Sequence, residues 1–151
     1  DPKVGTLPTT GRLMAEAASV DGAEGGIAQA CPGAGALRAI RDVAPERDLY
    51  AVITMSHPGG GDFFDIPALA AVAQEGGATG VVAPATRPED IAAVRAAVGD
   101  LKSISPGVGA QGGDPRAAIV AGADMIIVGR AIYQADDPGS AARDFARVLG
   151  D

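Results

Sequence analysis

Apolar positions along the chain fall into two alternating kinds of segment. Short apolar runs predict five strands, at Glu24–Cys31, Tyr50–Met55, Gly80–Pro84, Lys102–Ser105 and Asp124–Gly129. Between these runs, Ala, Leu, Ile and Val recur at helical spacing and predict helices at Pro8–Val20, Gly33–Val43, Ile66–Glu75, Pro88–Val98, Pro115–Ala121 and Pro138–Leu149. Regular alternation of this kind predicts a parallel sheet covered by helices.

The predicted helix starts carry signals of their own. Asp114-Pro115 and Asp137-Pro138 each place a carboxylate before a first-turn proline, and Thr86-Arg87-Pro88-Glu89 has the form of a capping box. Similar short turns end one helix and open the next strand at 21–24, 76–79 and 121–124. This recurrence indicates a repeated αβ unit.

Strand number limits the architecture. A TIM-type (β/α)₈ barrel has eight strands and typically about 250 residues, whereas this chain of 151 residues has five predicted strands. We expect one domain over residues 1–151 that contains the C-terminal five strands of such a barrel. Two explanations stay open: a fragment of a longer polypeptide, or an open α/β layer completed by another chain. The first is favoured because the sequence starts at Asp1, inside an apparent functional motif.

Composition narrows the possible partners. A hydrophobic fraction of 47% is enough for one sizeable core, and a net charge of −7 argues against nucleic acid as a partner. Cys31 is the single cysteine, so an internal disulfide is excluded and a reducing cytoplasm is expected. No apolar run approaches the roughly 18 residues of a membrane span.

Two segments near the C-terminus favour phosphate binding. Residues 105–114 form a loop with four glycines and Gln111. Gly129-Arg130 stands at the C-terminal end of the last predicted strand, which is expected to be buried. Glycine allows backbone N–H groups to approach an anion closely. Loops after the last two strands of a (β/α)₈ barrel commonly bind phosphate. The sequence therefore predicts a phosphate site that includes Gln111, Gly129 and Arg130.

Asp1-Pro2-Lys3 places a carboxylate and an ammonium two residues apart, so both side chains would lie on one face of a strand. On spacing alone, a solvated pair at a frayed terminus is the favoured explanation of these residues. His57 and Cys31 are interpreted as structural residues, and Asp136-Asp137 as a helix cap rather than a cation site.

The chain resembles the orotidine 5′-phosphate decarboxylase family, especially its archaeal-type branch. Besides Asp-x-Lys at 1–3, the resemblance is carried by Met-Ser-His-Pro-Gly at 55–59, Pro-Ala-Thr-Arg-Pro at 84–88, the segment 104–115 and Ile-Ile-Val-Gly-Arg-Ala-Ile-Tyr at 126–133. These motifs stand in the family's order and cover essentially the whole chain. The resemblance implies decarboxylation of orotidine 5′-monophosphate to uridine 5′-monophosphate (UMP), without metal or organic cofactor.

The resemblance also implies residue roles. Lys3 would protonate C6 of the pyrimidine as carbon dioxide leaves, and Asp1 would crowd the substrate carboxylate and hold the lysine. Ser56 and Pro106 would contact the base, Thr10 the ribose, and Gln111, Gly129 and Arg130 the phosphate. The family implies a homodimer, or here a chain completed by a partner.

Departures from the family pattern leave alternatives open. Thr6 stands where the signature has a second aspartate, which in the family reaches across the dimer interface. Gln29 stands where archaeal relatives often have histidine, and Gly25-Gly26 replaces bulky apolar residues. Because Thr6 supplies no charge to the catalytic network, two other functions are considered: a homologue that binds a pyrimidine nucleotide without decarboxylating it, and an enzyme acting on another nucleotide.

Overall fold

The computed structural model describes residues 4–62 and 64–150, which form an alternating series of helices and strands. In chain order these are α1 (Pro8–Val20), β1 (Gly25–Gln29), α2 (Ala34–Arg41), β2 (Asp48–Val52), α3 (Ile66–Glu75), β3 (Gly80–Val82), α4 (Pro88–Val98), β4 (Lys102–Pro106), α5 (Pro115–Val120), β5 (Met125–Ile127), α6 (Arg130–Tyr133) and α7 (Pro138–Gly150). The predicted alternation is confirmed.

All five strands lie parallel in one sheet, in the order β1-β2-β3-β4-β5. Each strand therefore neighbours the next one along the chain, which is the order of a β/α barrel. Val4 adds a parallel bridge to Ala28 at the outer edge of β1. The carboxyl ends of the strands consequently meet along one rim, where the loops that follow β2 to β5 lie together.

The sheet has two apolar faces. One packs against the helices and forms the main core, which includes the fully buried Leu37, Ile53, Val81 and Ile91. The other face carries a smaller buried group, Val52, Val82 and Ile104, against which Ile27 and Tyr50 pack. In a barrel this second face would be the interior. We call it the concave face.

Helix boundaries follow the sequence prediction closely. The predicted bounds of α1, α3 and α4 are those observed, and α2, α5 and α7 differ by one or two residues at an end. The strands differ more, because β1, β3 and β5 each end two residues before the predicted position. The prediction of a buried last strand was wrong: β5 is three residues long, and Met125 and Ile127 are 42% and 41% exposed. Arg130 is therefore the first residue of α6 instead of the end of a strand.

Helix caps confirm two of the three predicted signals. Asp114 accepts a hydrogen bond from the Ala117 N–H, and Asp137 accepts one from the Ser140 N–H. The capping box at 86–89 was wrong. The N-cap of α4 is Arg87, whose side chain caps nothing, and the Thr86 hydroxyl donates to the Ser56 carbonyl at 3.3 Å.

Arg95 joins two helix ends at the amino-terminal side of the sheet. Its guanidinium donates to the carbonyls of Gly99 and Leu101, which follow α4, and of Gly122, which follows α5, at 2.7–3.0 Å. It also pairs with Asp124 at 2.5 Å. Burial raises the pKa of Asp124, but hydrogen bonds from the Ser103 N–H and from Arg95 outweigh this effect, and the pKa is lowered overall.

No helix among residues 4–62 and 64–150 is long and apolar enough to cross a membrane.

Candidate functional site

Four of the predicted substrate-binding residues line one cavity at the carboxyl ends of β4 and β5. The cavity has a volume of about 210 Å³ and is bordered by Pro106, Gln111, Gly129 and Arg130, together with Tyr133 and neighbouring loop residues. Gln111 and Arg130 are exposed, so both side chains are accessible to a ligand. The two segments that the sequence predicts to act together are thus brought together.

The glycine-rich loop at 107–113 folds back on itself. Gly107, Gly109 and Gly112 have φ values of +96°, +71° and +89°, which side-chain-bearing residues rarely adopt. The N–H groups of Gly109, Gly112 and Gly113 donate to carbonyls within the loop. This corrects one expectation, because these glycine amides hold the loop's own conformation. Anion contacts therefore depend on the side chains of Gln111 and Arg130 and on the remaining N–H groups.

The loop after β2 meets the glycine-rich loop at Gly107. A Cβ atom placed on Gly107 would lie 3.3 Å from Ser56 Cβ and 3.3 Å from Thr86 Cγ2, and 3.7 Å from Gln111 Oε1. Ser56 and Gln111, two predicted site residues from different loops, are therefore close neighbours. A side chain at position 107 would separate them.

Arg87 holds the segment that leads to Ser56. Its Nη2 donates to the hydroxyl of Thr54 at 2.7 Å and to the carbonyl of Met55 at 2.5 Å, while Nε donates to Asp90 at 2.8 Å. Thr54 is 1% exposed and donates in turn to Asp90 at 3.0 Å. The guanidinium also lies against Gly61, where an added Cβ would be 2.8 Å from Nη2. The backbone immediately before Ser56 is therefore fixed to the start of α4.

Between the outer strands β1 and β5, the concave face is lined by a row of apolar side chains, which we call the apolar floor. Val52, Val82 and Ile104 are partners in successive strand pairs and are buried, and Gln29 pairs with Val52 at the β1 end of this row. Sequence reasoning did not identify this floor as part of the site. The sequence signal for this floor is an apolar residue in each of the strands that form it. Which residues pair across neighbouring strands depends on the register of the sheet, and this register cannot be read from one strand alone.

The remaining predicted residues are not joined to the cavity by any contact that the structure describes. Thr10 lies in the first turn of α1 and is exposed, and Thr6 is half-buried just before that helix. Asp1 and Lys3 lie outside the described residues. His57 and Cys31 are exposed in the loops that follow β2 and β1.

Titratable groups do not cluster for metal binding in the part of the chain that the structure covers: no group of three or more His, Cys, Asp or Glu residues is placed to hold an ion. On the concave face, burial and the nearby Asp48 carboxylate raise the pKa of Tyr50. The phenol therefore stays protonated and neutral beside the floor at neutral pH.

Comparisons with known proteins agree with this geometry. Residues 1–145 match the model of the orotidine 5′-phosphate decarboxylase / HUMPS family. Orotidine 5′-phosphate decarboxylases from Methanosarcina acetivorans and Pyrococcus furiosus are 48% and 38% identical to the chain, over 99% and 95% of it. The chain spans 70% and 68% of the length of these curated relatives.

Solved structures give the same result for the fold. The orotidine 5′-monophosphate decarboxylase of Methanocaldococcus jannaschii, complexed with the inhibitor BMP, matches with a TM-score of 0.90 and 32% identity, over 99% of this chain and 72% of that one. The enzyme from Sulfolobus solfataricus matches with a TM-score of 0.90 and 31% identity, over 100% and 72%. The expected partial TIM-type barrel is thereby confirmed, and the chain belongs to the orotidine 5′-phosphate decarboxylase family.

Proposed function

We propose that this chain binds orotidine 5′-monophosphate at the carboxyl ends of its strands and takes part in its decarboxylation to UMP. The observation that carries the proposal is the cavity at the ends of β4 and β5, which joins Pro106, Gln111, Gly129 and Arg130. Its volume of about 210 Å³ suits the phosphate end of a nucleotide, not the whole ligand. The base would extend from the cavity across the concave face.

The phosphate end is bound by charge and by an amide. Arg130 supplies a permanent positive charge and several N–H donors, which suit the oxygens of a phosphate. Gln111 donates its side-chain amide from the opposite side of the cavity, and the N–H groups at Gly129 and Arg130 are candidates for further contacts. Pro106 and the neighbouring Ser56 would contact the base.

The chemical step is assigned to the first residues of the chain. As carbon dioxide leaves C6 of the pyrimidine, the electron pair of the broken bond stays on that carbon, and Lys3 donates a proton to it. A fixed ammonium stabilises this developing negative charge better than a mobile group in water, because it is oriented before the reaction. Asp1 would orient the lysine and disfavour the substrate carboxylate in the ground state.

The phosphate site also contributes to the rate. Binding energy at a group remote from the reacting carbon is able to close a loop and complete the site. The contact of Gly107 with both Ser56 and Thr86 gives a physical route by which phosphate binding at Gln111 would order the loop over the base.

Thr6 favours a second candidate function. A threonine in place of the family's second aspartate lacks the charge that would complete the catalytic network. The alternative is a protein that binds UMP or a related nucleotide without turnover.

We also propose that the chain acts in the cytoplasm as a single domain, either as a homodimer or with a complementing chain. Sedimentation velocity at several concentrations would measure this oligomeric state.

Two assays separate these functions. Decarboxylation is followed by the loss of the orotate chromophore, and UMP binding is followed by calorimetry. Tight UMP binding without turnover selects the second candidate, and recovery of turnover in Thr6→Asp would locate the defect. Failure to bind any pyrimidine nucleotide monophosphate contradicts both.

Arg130→Met tests the phosphate contact directly. Loss of one charge-assisted interaction of about 1.5–3 kcal/mol weakens UMP binding roughly 10- to 100-fold. Uridine, which has no phosphate, should bind the variant and the native chain equally. Arg147→Met is the matched control, because Arg147 pairs with Asp144 on α7 at a largely exposed site.

A further inference from the structure

Gln29, the last residue of β1, is fastened to the segment that follows Lys3. Its N–H donates to the Val4 carbonyl at 2.7 Å, and the Val4 N–H donates to the Ile27 carbonyl at 3.2 Å. Val4 is thereby fixed as a bridge partner of Ala28. The position of the residue next to Lys3 in the sequence is consequently set by the carboxyl end of β1.

The side chain of Gln29 adds a contact that the backbone does not supply. A Cβ atom on Gly5 would lie 2.8 Å from Gln29 Cγ and 3.3 Å from Gln29 Cβ. The φ of Gly5 is not in the left-handed region, so the reason for glycine here is space, not backbone conformation. The Gln29 stem therefore packs directly against the Gly5 backbone.

Gly26 in β1 provides a contrast with Gly5. A Cβ on Gly26 meets nothing within 4 Å. Gln29 pairs with Val52 in the sheet register and shares the concave face with the apolar floor. Its packing thus sets the position of Val4 and Gly5, the two residues that follow Lys3 in the sequence, beside the floor on which the base is proposed to lie.

We propose that Gln29 is a positioning residue that acts through Gly5 and Val4 to place Lys3 against the substrate. The inference rests on the proposed function, in which Lys3 is the proton donor. Cβ and Cγ of Gln29 make the contact with Gly5, so these aliphatic atoms, and not the side-chain amide, position the segment. Replacement by Met keeps both atoms, whereas replacement by Ala removes Cγ.

A double-mutant cycle tests the contact. In Gly5→Ala, the new Cβ meets Gln29 Cγ and displaces the Lys3 segment, and we expect kcat to fall roughly 10- to 100-fold because catalysis is sensitive to shifts of about 1 Å. KM should stay within about threefold, since most of the binding energy comes from the distant phosphate site. Gln29→Ala added to Gly5→Ala removes Cγ and should restore most of the lost kcat. Gln29→Met alone should retain more kcat than Gln29→Ala alone, whereas the control Gly26→Ala should resemble the native chain.

A second readout does not depend on turnover. The chain has two lysines, Lys3 and Lys102, so pulse acylation with acetic anhydride followed by mass spectrometry measures Lys3 reactivity against pH, with Lys102 as internal reference. Gly5→Ala should shift the Lys3 profile, and the double variant should return it toward the native one.

The outcomes separate this inference from the proposed function. A lower melting temperature in Gly5→Ala with an unchanged Lys3 profile means that the contact is only structural and overturns the inference. An additive cycle, without recovery in the double variant, overturns it as well. If the native chain binds no UMP, the proposed function fails, while the acylation profiles still decide whether Gln29 positions Lys3.

Discussion

Replacement of Arg87 by Met should destabilise the protein and loosen the loop that contains Ser56. The guanidinium makes three hydrogen bonds, to Thr54, Met55 and Asp90, and the side chains of Arg87 and Asp90 are only 23% and 20% exposed. Breaking a fully buried ion pair costs about 3–5 kcal/mol, because the remaining charge loses its partner. Partial exposure of this pair allows water to replace some of these contacts, so we expect a loss of about 2–4 kcal/mol in the free energy of unfolding.

Urea denaturation measures this loss through the shift of the midpoint at constant slope. Arg12→Met is the matched control, because Arg12 pairs with Glu16 at 2.8 Å while the two side chains are 65% and 42% exposed. Such exposed pairs contribute little to stability because water and salt screen them, so Arg12→Met should unfold at nearly the native urea concentration. UMP affinity should fall in Arg87→Met and stay unchanged in Arg12→Met. Equal stability of the two variants, or native UMP affinity in Arg87→Met, would refute the reasoning that Arg87 supports the Ser56 loop.

Three further predictions concern the fold. The pKa of Asp124 is lowered in the folded protein, so this carboxylate contributes stability at pH values above its ordinary pKa of 3.8. The contribution is lost as the pH falls through the folded-state pKa. Urea titrations from pH 6 downward should therefore show a smaller acid-induced loss of unfolding free energy in Asp124→Asn than in the native chain. Gly80→Ala should cost about 1–3 kcal/mol in urea because the new Cβ would collide with the Tyr50 ring and lie 2.7 Å from the Lys102 carbonyl, and Tyr50→Leu should relieve part of that cost. Leu37→Ala, at a fully buried position, should lower the free energy of unfolding by about 2–5 kcal/mol, and a loss below 1 kcal/mol would mean that the core relaxes around the cavity.

The helices were predictable because their signals are local. Pro88 and Gly99 limit α4 in the sequence as they do in the structure, and the Asp114-Pro115 cap is made by atoms three residues apart. The capping box at Thr86 failed for a tertiary reason. Its hydroxyl donates to the Ser56 carbonyl on another loop, and no pattern within residues 86–89 contains that partner.

Strand ends and burial were less predictable. Residues 125–128 are all apolar, but β5 is an outer strand of the five-stranded sheet, so Met125 and Ile127 stay exposed. Apolar composition reports the tendency to be buried, whereas the neighbours that bury a strand are set by topology. The four-residue helix α6 was missed because one turn is too short to show periodicity.

The residues proposed to bind phosphate come together in the structure for a reason that the sequence order does show. Gln111 lies in the loop after β4, and Arg130 begins the helix after β5. Parallel pairing of these neighbouring strands brings both residues to one rim. The approach of Ser56 to Gln111 depends on the absence of a side chain at Gly107. The sequence shows a glycine at this position, but it does not show which residues meet there. The apolar floor needs the register of three strands and therefore required the structure.

The order of the strands separates the two halves of the proposed site. Val4 and Gln29 lie at β1, Ser56 follows β2, Thr86 follows β3, and the phosphate cavity lies at β4 and β5. Four interstrand steps of about 4.8 Å would separate the outer strands by roughly 19 Å in a flat sheet. A nucleotide monophosphate is shorter than that, so it would contact both halves only across the concave face of a curved sheet. The curvature of the sheet would therefore affect the alignment of base and lysine, even through residues that do not touch the ligand. The packing of the Tyr50 ring over Gly80, in the middle of the sheet, is one such contact.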